Sequence, residues 1–179
     1  MRIRRFLALC SALTVCAPVL AGAQDTSKVG ITMGYPGSVG LLWYVTDSVA
    51  IRPAITFSHS SNDGVPGSQG SSFGLDLGAL LYVKKYDNVR TYVSPRFSYT
   101  HTSTTLTSSG IPPLEATSNS TGGAGTFGAQ FLASPRFSVY GEAGISFAHR
   151  TSETKSVFPS SSKGTTWGTV AGVGIVFYL

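Results

Sequence analysis

Beyond residue 23 the chain has no cysteine, since Cys10 and Cys16 are the only two, so the remainder can hold neither a disulfide nor a thiolate metal site. Charge is scarce as well: Asp, Glu, Lys and Arg make up 12% of the 179 residues. The formal net charge of +5 falls to about +2 once Arg2, Arg4 and Arg5 are set aside, and the remaining Lys and Arg are scattered, so no nucleic-acid surface is expected. After Ala23 no apolar run approaches the roughly 18 residues of a membrane-spanning helix. A phosphate-binding loop is missing too: Thr121-Gly122-Gly123-Ala124-Gly125 opens a strand pattern and lacks the required Lys. What remains is 42% hydrophobic and holds many of the chain's 21 Gly, which fits one domain of modest size.

The first segment reads as an address. Arg2, Arg4 and Arg5 precede an apolar run from Phe6 to Leu20, followed by Ala21-Gly22-Ala23 and Gln24. A basic start, an apolar middle and an A-x-A site predict a secretory signal peptide over residues 1–23, leaving 24–179 as the mature domain.

That domain alternates. From Val49 every second residue is apolar: Val49, Ile51, Pro53, Ile55, Phe57. The same period returns in Phe73–Val83, Thr91–Tyr99, Phe127–Ala133, Phe137–Phe147 and Trp167–Leu179, and in two shorter runs, Val29–Tyr35 and Val39–Val45. Period two marks strands with two unlike faces, and the count is eight. The long strands should run roughly 12 to 15 residues, against about 9 to 11 needed to cross the hydrocarbon of a bilayer. Thr46-Asp47-Ser48, Lys85-Tyr86-Asp87-Asn88 and Ser134-Pro135-Arg136 have turn chemistry, whereas Ser61–Gly70, Ser103–Thr121 and Ser152–Gly164 read as long polar loops. Three strands align and end in aromatic-x-His, at His59, His101 and His149. They lie on alternate strands, about 10 Å apart, too far to share one metal ion. Pro95, inside a strand, predicts a bulge.

The two faces differ in kind. One carries Ile, Val, Leu, Phe and Trp; the other carries Arg52, Asp76, Arg96, Gln130 and Glu142 among Tyr, Gly, Ser and Thr. A charge-poor face around all eight strands predicts lipid outside and polar groups inside. Aromatics near the strand ends, such as Tyr35, Phe57, Tyr99, Phe147 and Trp167, suit interfacial girdles. With the leader, the strand count, the uneven connections and the alternating ending Val173, Ile175, Phe177, the chain resembles the small eight-stranded outer-membrane β-barrels of Gram-negative bacteria, the OmpX and OmpA-membrane-domain type. The last residue, Leu179, departs from the terminal Phe or Trp of that family. The resemblance implies an all-β, antiparallel up-and-down transmembrane barrel with short periplasmic turns and longer extracellular loops. It also implies insertion by the barrel-assembly machinery, contact with outer-membrane lipid and lipopolysaccharide, a monomeric state, and no cofactor.

Inside so narrow a ring, charges must pair. A turn centred near Tyr86 would set Asp76 opposite Arg96, with Arg52 one level lower and Glu142 on the far wall, forming a polar plug. An enzyme reading competes: His59-Ser60-Ser61-Asn62 resembles the His-x-Ser-Asn motif of outer-membrane lipid A deacylases, with His59 as base and Ser61 as nucleophile. Its acid is lacking, because Asp76 points inward and only Asp63 in the loop could orient the histidine. A third reading is a soluble secreted barrel carrying an apolar ligand. Non-enzymatic support of the outer membrane, or contact with a surface ligand, is favoured, with Ile111, Pro112, Pro113 and Leu114 as the apolar tip of the largest loop. The first two strands are about half as long as the others, so the wall there should be low, with a lateral notch near Tyr35 to Ser38.

Overall fold

A computed structural model describes residues 29–62, 64, 67–108, 111–155 and 159–179; the leader assigned to residues 1–23 lies outside them. Eight strands follow one another: β1 (Val29–Tyr35), β2 (Ser38–Thr46), β3 (Val49–Asn62), β4 (Gly67–Lys85), β5 (Val89–Ser108), β6 (Ile111–Ser134), β7 (Phe137–Lys155) and β8 (Ser160–Tyr178). Each pairs antiparallel with the next, and β8 returns to β1, so the sheet closes. Closure leaves no free edge where the ring is complete, which is what lets β-structure stand in lipid.

The ring is staggered. A rung that starts at Met33 and passes through Val39, Ile55, Leu75, Tyr99, Thr121 and His149 reaches β8 at Thr165, whereas the β8 partner of Met33 is Ile175. The strands therefore tilt steeply against the barrel axis, as an eight-stranded closure requires.

Alternation sorts the side chains. Leu42, Ala50, Leu80, Tyr92 and Val176 are buried inside the ring. Ile55, Phe57, Leu75, Leu77, Phe97, Phe127, Ile145 and Val173 point outward and are 48% to 73% exposed. An apolar outer wall is the reverse of a water-soluble barrel, and it overturns the soluble-carrier reading.

Three expectations need correction. The segments read as long loops are mostly strand: Ser103 pairs with Thr117, Leu106 with Leu114, and Ser152 with Ser162. Polar residues on both faces hide the period of two, while their many threonines fit an extended chain. The apolar tip is accordingly not a loop, since Ile111, Pro112, Pro113 and Leu114 open β6. Pro95 makes no bulge either. It faces Gly125 in register, and the β4–β5 register is the same at Gly78–Arg96 as at Leu81–Val93, so the proline interrupts the ladder without shifting it. The bulges lie near strand ends, between Tyr44 and Thr46, Tyr82 and Lys84, Leu106 and Ser108, and Leu132 and Ser134.

Candidate functional site

The lumen is filled in three levels. Nearest the short turns, β2, β4, β6, β7 and β8 contribute Tyr44, Tyr82, Gln130, Ser138 and Tyr178. The Tyr82 hydroxyl donates to Gln130 Oε1 at 2.7 Å, and Gln130 Nε2 donates to Ser138 Oγ at 2.7 Å and to the Tyr178 hydroxyl. The hydroxyls of Tyr44 and Tyr82 lie 2.9 Å apart, and their rings stack at 5.6 Å. Gln130 is 1% exposed, and one carboxamide serves both as acceptor and as double donor, which is why a glutamine can be buried here at low cost.

The middle level is apolar and tight. Leu42, Leu80, Tyr92 and Val176 meet there with no room for a water molecule between them. Tyr92 is seated by a glycine: Gly128 is its partner on β6, and a Cβ at Gly128 would stand 2.5 Å from Tyr92 Cζ. Tyr140 lies in the same way over its β8 partner, Gly174.

The third level is ionic. Glu142 on β7 accepts from Arg52 Nη2 at 2.9 Å on each carboxylate oxygen and from Arg96 Nη2 on Oε1. The Tyr92 hydroxyl adds a bond to Oε2 at 3.3 Å, and the Arg52 guanidinium lies over the Tyr140 ring at 4.8 Å. The Glu142 side chain is 3% exposed. A carboxylate so enclosed is tolerable only with its lone pairs matched, and two guanidiniums with a phenol supply that.

Asp76 does not face Arg96, as the expected turn would have it. The hairpin is closed by Tyr86 N donating to the Val89 carbonyl at 2.8 Å, so its centre falls at Asp87–Asn88. That offset and the Tyr82–Lys84 bulge put Gly78 opposite Arg96 and Ser98 opposite Asp76. Arg52 does stand lower than Asp76, whose β3 partner is Ala54, two residues further up the strand. Arg52, Gly78 and Arg96 share one rung, and the missing side chain of Gly78 leaves space between the two arginines. Both ion pairs among the described residues end on Glu142. Glu142 is thus the centre of the ionic cluster, and Tyr178 and Ser138, in the separate network around Gln130, are lumen residues absent from the expected set. Their even numbers, shared with every other lumen residue named above, were the available signal.

His59 and Ser61 stand on the outward face of β3, paired with Ser71 and Gln69. Asp63 lies outside the described residues, and among those residues no hydrogen bond joins His59 to Ser61. His101 Nδ1 lies 2.7 Å from Asn119 Oδ1, and His149 Nδ1 lies 3.3 Å from Thr165 Oγ1.

An inside-out barrel with a charge-paired interior is the architecture of an outer-membrane protein. Residues 7–179 match the family described as the outer membrane protein beta-barrel domain, and the chain belongs to that family. Among solved structures it is similar to a major outer membrane protein from Thermus thermophilus, at 14% identity and a TM-score of 0.59, over 85% of this chain and 98% of that one. It is also similar to CarO2 of Acinetobacter baumannii, at 14% identity and a TM-score of 0.41, over 85% of this chain and 97% of that one. No curated protein matches the chain.

Proposed function

We propose that this outer-membrane barrel is a non-conducting structural protein whose lumen is closed by a polar plug and whose tall rim offers a contact surface outside the membrane. The observation that carries the reading is the double closure of the lumen, by the Tyr–Gln network around Gln130 and by the Arg52–Glu142–Arg96 cluster, with a dry apolar level between them. An eight-stranded ring has space for side chains and little else. The strands β4 to β8 hold 19 to 24 residues, well beyond what the bilayer needs, and the excess is Ser- and Thr-rich wall.

In this reading the chain is not an enzyme: His59 and Ser61 sit at a strand end where, among the described residues, no acid is hydrogen-bonded to the histidine. Its partners are outer-membrane lipid and lipopolysaccharide around the wall, the barrel-assembly machinery during insertion, and a surface ligand at the rim; the protein works as a monomer, with its leader removed on export. The test is conductance of the purified protein in planar bilayers. No discrete current steps are expected, and reproducible steps in the unmodified protein would overturn the plug.

A further inference from the structure

The first hairpin stops far below the rest of the rim. Ser38–Thr56 is the last pair joining β2 to β3, and Tyr35–Val173 is the last joining β1 to β8. Above them, among the described residues, Phe57–Asn62 of β3 and Ser160–Gly172 of β8 pair with no strand on that side, so the wall formed by those residues is open down to Pro36 and Gly37. Phe57 pairs with Phe73 and Phe147 with Trp167, and these aromatics mark the upper limit of the apolar wall. Trp167 is six residues further up β8 than Val173, which is about 15 Å along the axis for a strand rising about 3.3 Å per residue at a tilt of about 40°. The floor of the gap therefore lies inside the apolar band.

Behind the gap is a cavity of about 230 Å³. Tyr35, Pro36, Ala171 and Val173 form its mouth, and Arg52, Arg96, Glu142 and Asp76 form its inner wall. Two groups there are left without partners among the described residues. Asp76 takes part in neither ion pair, and Arg96 Nε is buried without an acceptor. The four charges cancel, so the cavity favours a ligand that is neutral overall yet carries an acceptor for the arginine and a cation for the aspartate. Outside the mouth the small residues Ala129, Gly141, Ala143 and Ala171 leave an apolar groove of about 530 Å³ on the lipid-facing wall. Tyr35, Gly172 and Val173 line both spaces, so the two adjoin at the notch.

We propose that the gap above the β1–β2 turn is a lateral portal through which a zwitterionic amphiphile of the membrane sets its head group between Asp76 and Arg96, with its apolar chain in the outer groove. This goes beyond the plug reading and is compatible with it, because the cavity ends blind on the Arg52–Glu142–Arg96 cluster.

Native mass spectrometry of the whole barrel released from detergent tests the portal. The probes are lysophosphatidylethanolamine, which is zwitterionic, and lysophosphatidylglycerol of the same chain length, which is anionic. One copy of the zwitterion should be retained at about tenfold lower lipid concentration than the anion, the scale of one charge-assisted hydrogen bond. Asp76→Asn should remove that preference, and Ala54→Trp, which fills the cavity, should abolish retention of both. Equal retention of both lipids by the unmodified protein, or an unchanged preference in Asp76→Asn, would overturn the proposal. Should Ala54→Trp fail to fold, the comparison between the unmodified protein and Asp76→Asn still decides.

Discussion

The β5–β6 hairpin and the β1–β2 hairpin obey the same pairing rule, yet one has strands of 20 and 24 residues and the other of 7 and 9. Both close the same ring. The extra length of the tall hairpin is therefore not what holds the barrel together; closure depends on the level that both hairpins share. That level contains the Tyr–Gln network, the apolar seat of Tyr92 and Glu142, whereas the extension holds Thr102, Ser103, Thr104 and Thr105 against Ser118, Thr117, Ala116 and Glu115. The short hairpin shows what a membrane-embedded wall requires, and the tall one shows what is added for the space outside.

Substitutions in the shared level should be costly and those in the extension mild. Glu142→Ala has the largest expected effect. It leaves two guanidiniums facing each other in an enclosed lumen and should cost about 3–5 kcal/mol, read as a lower midpoint in urea-induced unfolding of the detergent-folded barrel. Gly128→Val comes next, because its side chain must displace Tyr92 from its seat. Overpacking on this scale costs about 1–3 kcal/mol, and the loss of the compact form on unheated gel electrophoresis should begin at lower temperature. Gln130→Ala strips the Tyr82 and Ser138 hydroxyls of their shared partner, an orphaning worth about 1–3 kcal/mol by the same unfolding midpoint. The smallest effect belongs to the extension. Replacing residues 104–116 by an Asn-Gly turn keeps the Ser103–Thr117 pair as the new hairpin end, and the midpoint should move by no more than about 0.5 kcal/mol. A shortened barrel that no longer folds would break the comparison outright.

The sequence made the ring legible where one face meets lipid and the other meets packed side chains. Ile51, Pro53, Ile55 and Phe57 against Arg52, Ala54 and Thr56 leave no doubt about period, and the eight strands follow. Above the aromatic level both faces meet water, the pattern in 101–108 and 111–121 fades, and strand looks like loop. The lumen was legible by residue and not by partner. Arg52, Asp76, Arg96, Gln130 and Glu142 all face inward, but a turn centred at Asp87–Asn88 instead of Tyr86, together with the bulge beside it, shifts the partner of Arg96 by two residues, from Asp76 to Gly78, and Arg96 pairs with Glu142. Register in a hairpin depends on the turn and on any bulge beside it, and neither is written in hydrophobic periodicity. The low wall at Tyr35–Ser38 was readable from strand length alone, whereas the cavity behind it needed the third dimension.

The most direct test of the uneven wall is spin-label accessibility in reconstituted vesicles. Single cysteines at Gly37, on the short hairpin, and at Gly164, on the upper part of β8, carry a nitroxide in a chain whose own cysteines lie only at residues 10 and 16. If the first hairpin ends inside the apolar band, the label at position 37 collides with dissolved oxygen and is shielded from a water-soluble nickel chelate, while the label at 164 does the reverse. Equal exposure of both labels to the chelate would contradict the account.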